Sequence, residues 1–194
     1  MDTKMVRSFL KWLRRGLIDD RRGGVMVEFA MIIPILVFVL LAGVDVVRFA
    51  MLQQKLSRAA TSMADLVAQY PTMSQTQLDQ LFLSVQHIIT PFPLGSSGRV
   101  IVSSISKADV ASPVVVDWQR FGAGTASAVS AFGVQGGNAV LPAGFSVDAG
   151  QGLIVAEIFY DFDPLLNTAV VPPRRVTHNA IFRPRFGALS ALAP

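Results

Sequence analysis

From Phe29 to Val44 the chain carries no charged side chain, and Val46 and Val47 extend the apolar run past Asp45. As a helix, this run spans roughly 25–30 Å at about 1.5 Å per residue, enough to cross the hydrocarbon core of a bilayer. Beyond it the pattern becomes periodic. Apolar residues recur three or four apart at Phe49, Leu52, Leu56, Ala59, Ala60, Met63, Leu66, Val67 and Tyr70, with Gln53, Lys55, Arg58, Thr61, Asp65 and Gln69 between them. The spacing predicts one long helix over 24–69, its first half in lipid and its second half laying one stripe on a partner. Pro34 interrupts the backbone ladder and frees the Ala30 carbonyl, and Pro71 ends the helix. Asp45 and Arg48, three apart at the exit, read as an ordinary charge pair.

Ser74-Gln75-Thr76-Gln77 then reads as a capping box. Leu78, Leu81, Phe82, Val85 and Ile88 or Ile89 give a short second helix that stops before Pro91. After Pro91 the period changes to two. Arg99–Ser106, Pro113–Gln119, Leu153–Phe162 and Val176–Phe182 are predicted strands, the third the strongest. In it Ile154, Ala156, Ile158, Tyr160 and Phe162 fall on one face, and Leu153, Val155, Glu157, Phe159 and Asp161 on the other. The first face is expected to meet the stripe Leu52, Leu56, Ala59, Met63 and Leu66, since each needs a cover to leave water. Trp118 is expected in the core. Residues 121–152, with eight glycines among Ala, Ser and isolated apolar side chains, read as a long adaptable connection suited to a surface that meets a neighbouring subunit. The fold class is therefore α+β: a long N-terminal transmembrane helix packed on a small antiparallel sheet with one extra short helix.

Charge orients this arrangement. Lys4, Arg7, Lys11, Arg14, Arg15, Arg21 and Arg22 face only Asp2, Asp19 and Asp20 in residues 1–24, whereas the remaining ten basic and ten acidic side chains balance. The basic character thus belongs to a leader, 1–23, whose segment 4–18 has the amphipathic spacing of a helix lying on an anionic leaflet. A basic leader before an apolar helix places the N-terminus in the cytoplasm and residues 70–194 on the exported side. The same balance argues against nucleic-acid binding, which needs a basic face on the folded domain. The chain has no cysteine, which removes disulfide staples, thiolate metal sites and thiol catalysis. Only His87 and His178 could serve a histidine metal site. Asp161-Phe162-Asp163 offers far fewer oxygens than calcium takes, and reads as a turn before Pro164. No catalytic constellation, cofactor motif or small-molecule site is legible.

Two features separate the apolar run from an ordinary anchor. Glu28 stands at its cytoplasmic border, where a carboxylate facing lipid is costly and needs water or a cationic partner. Just upstream, Gly23-Gly24 offers a side-chain-free stretch that a protease could bind extended, because glycine resists helix formation. A secretory signal peptide fits poorly: the basic region is long, Glu28 interrupts the approach, and Leu40–Asp45 lacks an Ala-x-Ala type site.

Gly followed five residues later by Glu and then an aromatic, opening a long apolar helix, resembles the prepilin-peptidase site of type IV pilins, and is most similar to the Flp or tight-adherence (Tad) branch. Arg22 to Ala30, the apolar run, and Gln53-Gln54-Lys55-Leu56-Ser57-Arg58-Ala59-Ala60 resemble the opening of TadE/TadF minor pseudopilins. Glu157 to Leu165 is similar to the strand and Pro-Leu ending of that family. The resemblance implies a pilin-like subunit with no enzymatic activity. It would be cut between Gly23 and Gly24, with Glu28 and Phe29 serving recognition and assembly and Phe29, Pro34 and Val44 lying in the span. It further implies a single-pass protein of the bacterial inner membrane with its C-terminus in the periplasm, supporting pilus biogenesis and adhesion. Its partners would be prepilin peptidase, other pilin and pseudopilin subunits, the Tad secretion machinery and membrane lipid. The alternative from the residues alone is an uncleaved single-pass anchor with an exported partner-binding domain.

Overall fold

The structure, a computed structural model, describes residues 22–166 and 170–193. Most of the basic leader, including segment 4–18, lies outside the described residues. Helix α1 runs unbroken over Arg22–Ala68, through Pro34, a length of roughly 70 Å at about 1.5 Å per residue. Helix α2 covers Gln75–Ile89, opened by the capping box: the Ser74 hydroxyl accepts from the Gln77 amide at 3.2 Å, and the Gln77 side chain accepts from the Ser74 amide at 2.9 Å. Four strands follow, β1 (Gly98–Ser106), β2 (Val115–Gly122), β3 (Gly152–Phe162) and β4 (Arg174–Phe182). They form one antiparallel sheet in the order β2-β1-β3-β4.

The periodicity of each element decides which face it covers. Leu52, Leu56, Ala59, Ala60, Met63 and Val67 of α1 are buried against Ile154, Ala156, Ile158, Tyr160 and Phe162 of β3, with Leu78, Phe82, Val85 and Ile89 of α2 in the same core. Each fully buried large aliphatic here contributes about 1.5–3 kcal/mol. Leu66 departs from the expected stripe: it is 37% exposed, and Val67 and Ala68 take the inward positions. Two heptads after Leu52 at 3.6 residues per turn, the inward face has rotated by about 40°, enough to shift it by one position. Trp118 is buried, its indole N–H donating to the Leu189 carbonyl at 2.7 Å.

Residues 123–151 are not simply a surface connection. Strands β2 and β3 flank β1 and both run antiparallel to it, so the chain leaves β2 at the Gly98 end of β1 and must start β3 at the Ser106 end. The connection therefore travels the length of the sheet on its second face. There Phe132 and Val147 are buried with Ile105, Val116, Leu153 and Val155 in a separate small core. Its departure depends on glycine at two places. A Cβ on Gly122 would stand 2.3 Å from the Phe82 ring, and one on Gly124 would stand 2.1 Å from the Gly98 carbonyl oxygen.

The segment after β4 closes the far end. The Arg185 amide donates to the Ala68 carbonyl at 3.0 Å, satisfying an orphan acceptor at the end of α1, and its guanidinium lies 3.5 Å from the Asp65 carboxylate. Arg185 thus pairs within its own chain.

Candidate functional site

Among the described residues one helix is long and apolar enough to cross a membrane, and its most apolar window is wholly unburied. Every residue from Gly24 to Leu40 is exposed, and among the described residues no other element covers this stretch of α1. Gly23, Gly24, Glu28, Phe29, Pro34 and Val44 are strung along it rather than gathered, over roughly 32 Å. Gly24 and Glu28 are four apart, one above the other on one helix face, with about 6 Å of rise between them. The structure places Gly23 and Gly24 in the first turn of α1 rather than in an extended stretch. Glycine is about 1 kcal/mol less favourable than alanine in a helix interior, so two in succession weaken this turn.

The second focus is the exit of the helix from its apolar run. Asp45 is fully buried. Its carboxylate accepts the amide of Leu165 at 2.9 Å and that of Leu166 at 3.0 Å, and lies 3.6 Å from the Arg48 guanidinium. The expected Asp45–Arg48 pair is therefore present but is the smaller part of what Asp45 does. The carboxylate clamps the turn that follows β3 to the helix, as a charged acceptor of two backbone N–H groups. Aromatic rings brace the same junction. Phe49 meets Phe162 edge-on at 5.2 Å, Arg48 lies over Phe92 and Phe162 at 5.8 and 5.9 Å, and exposed Arg174 stacks on Phe49 at 4.2 Å. The Pro164-Leu165 ending of β3 is thereby joined to the end of the apolar run.

A second buried carboxylate sits behind the sheet. Glu157, on central β3, accepts the Ser130 hydroxyl and the Ala131 amide, the latter at 3.0 Å, which pins the 123–151 connection to the second face. Burial pushes the Glu157 carboxyl above its ordinary value, outweighing the opposing effect of these two donors. Elsewhere Asp161 and Arg175 face each other across β3 and β4 in a bidentate pair at 2.7 and 2.8 Å, which holds the Asp161 carboxyl below its usual range. His87 is exposed beside an open groove with Gln86, Thr90 and Pro91, and His178, its imidazole lowered by burial, lines another with Gln53, Gln54, Ser57 and Arg58. Among the described residues no group of three or more His, Asp or Glu could hold a metal ion.

Residues 23–65 match the family model of TadE-like proteins. The matched segment begins at Gly23, runs through the exposed half of α1 and the Asp45 junction, and ends within the stripe that packs on β3. Glu157 to Leu165 lies outside it. No curated protein and no solved structure matches the chain. The helix that carries this match is, over residues 23–65, that of a TadE-like domain.

Proposed function

We propose that the chain is a minor pilin-like subunit, made as a precursor and cut by a prepilin peptidase between Gly23 and Gly24 before it supports pilus biogenesis and adhesion. The observation that carries the reading is the match from Gly23 onward to a pilus-associated family on a helix whose first half no other described element covers. An apolar helix face left bare by its own domain suits two environments in turn: lipid before assembly and neighbouring pilin or pseudopilin helices after it. In this reading the N-terminus is cytoplasmic and the domain periplasmic, following the basic leader. Cleavage at Gly23-Gly24 makes Glu28 the fifth residue of the product, one helical turn from the new α-amino group. Its carboxylate then has a cationic partner on its own chain or on the subunit docking beside it, and only one stagger between helices brings the two together.

N-terminal sequencing of the protein recovered from membranes tests the first step. A chain beginning at Gly24 is expected. A membrane form that retains the leader in cells with active prepilin peptidase would refute processing and favour a permanent anchor. Glu28→Gln keeps the shape and removes the charge; it is expected to be cleaved, to stay in the membrane and to fail in pilus formation. Wild-type piliation from the cleaved variant would sink the charge-pair argument.

A further inference from the structure

The charge-free run Phe29–Val44 covers about 24 Å as a helix, short of the roughly 30 Å of a hydrocarbon core. With Glu28 at one border, the far edge of the core falls beyond Asp45, near Val46 and Val47, both exposed. A carboxylate at that depth is costly unless the protein itself satisfies it. Asp45 is satisfied there by the amides of Leu165 and Leu166. The turn that supplies those amides is thereby fixed at the edge of the hydrocarbon, and the side chains it turns outward are apolar: Leu165 is 65% and Leu166 53% exposed, with Val170 also exposed. Exposed Asp163 and Arg174 flank these apolar side chains, at the level where headgroups and water can solvate them.

We infer that the turn after β3, through Leu165 and Leu166, is seated in the membrane leaflet next to the folded domain, with Asp45 setting its depth. Its partner is the lipid surface of the bilayer that α1 crosses, because Leu165 and Leu166 are bonded through their amides to Asp45, whose neighbours along α1, Val44, Val46 and Val47, are exposed apolar residues of the same run. The domain is thus held against the bilayer at a second point rather than carried above it by the helix alone. This inference rests on reading α1 as a span, and the test separates the two.

The chain has no cysteine, so a single thiol can carry an environment-sensitive fluorophore. Full-length Leu166→Cys, Leu36→Cys and Val110→Cys are labelled and reconstituted in vesicles of phosphatidylethanolamine and phosphatidylglycerol. Leu36 marks the middle of the run, and Val110, 83% exposed between β1 and β2, marks the opposite end of the domain. The probe at 166 is expected to be quenched by doxyl-labelled lipid and shielded from aqueous iodide, with blue-shifted emission; the probe at 110 is expected to show the reverse. Iodide access at 166 equal to that at 110, with lipid quenching retained at 36, overturns the inference and leaves the span standing. Loss of lipid quenching at both 36 and 166 overturns the span with it. Shielding at 166 that lacks lipid quenching and grows with protein density means that a second copy covers the turn, and overturns the assignment to lipid.

Discussion

Replacing Asp45 by asparagine probes the junction between helix and domain with almost no change of shape. The wild-type carboxylate offers one oxygen to each of the Leu165 and Leu166 amides, and its side chain is fully shielded from solvent. Hydrogen bonds to a charged group contribute about 1.5–3 kcal/mol each, against about 0.5–1.5 for a neutral pair. Asparagine keeps one acceptor at the neutral value and turns an NH2 group towards the other N–H, while relieving the desolvation of a buried charge. A net weakening of about 2 kcal/mol in the attachment of the turn follows, with few side-chain contacts in reserve, since Leu165 and Leu166 point outward. At about 1.4 kcal/mol per factor of ten, this corresponds to roughly 30-fold faster opening-limited hydrogen exchange. Amide exchange measured on the full chain in nanodiscs is expected to show that acceleration at Leu165 and Leu166 while central β1 and β3 amides hold. Unchanged exchange at both positions would mean that the turn is held by something other than Asp45, and would refute the clamp.

Three further changes test the packing behind it. Leu56→Ala, at a fully buried site between α1 and β3, is expected to cost about 2–5 kcal/mol in denaturant unfolding, whereas Leu66→Ala, one outward position away from the core, should stay within about 0.5 kcal/mol; equal effects would overturn the assigned helix face. Glu157 is raised in the folded state, so its contribution to stability is intact below the ordinary glutamate value and is lost as pH rises through the folded-state value. Stability curves of Glu157→Gln should therefore be flatter than wild type over that window, and a parallel pair of curves would show that the carboxyl is not held in its raised state. Removing residues 185–193 should leave the Trp118 indole N–H and the Ser104 hydroxyl without the Leu189 carbonyl and uncap α1 at Ala68, seen as faster exchange at the last turn of α1 and lower thermal stability; an unaltered melting curve would refute that role.

How much of this was legible in the sequence depended on whether the signal was local. The long helix, the capping box at Ser74 and all four strands announce themselves within a few residues, because each has its own period. Leu66 differs by phase: a stripe at three-and-four spacing drifts around the helix, and only the packed sheet shows which neighbour faces inward. The cover of the second face was missed because Phe132 and Val147 stand as isolated apolar residues among glycines, without periodicity. A clue lay in β3 itself, where Leu153 and Val155 made its second face apolar as well and Glu157 needed partners behind the sheet. Asp45 has a local partner in Arg48, which accounts for its charge without any distant contact. Its amide donors lie 120 and 121 residues away, and no pattern along the chain connects them.

The unbroken course of α1 has a mechanical consequence. A domain joined to its anchor by a flexible tether can tumble while the anchor stays still. Here the bare half of the helix and the half glued to the sheet are successive turns of one rod, with no residue between them free to swivel, and Asp45 bolts the sheet to that rod at the boundary. Any tilt of the domain is a tilt of the bare half of the helix. A pull on the domain is accordingly delivered along the rod to the apolar turns, with no slack to take up before the helix itself begins to slide.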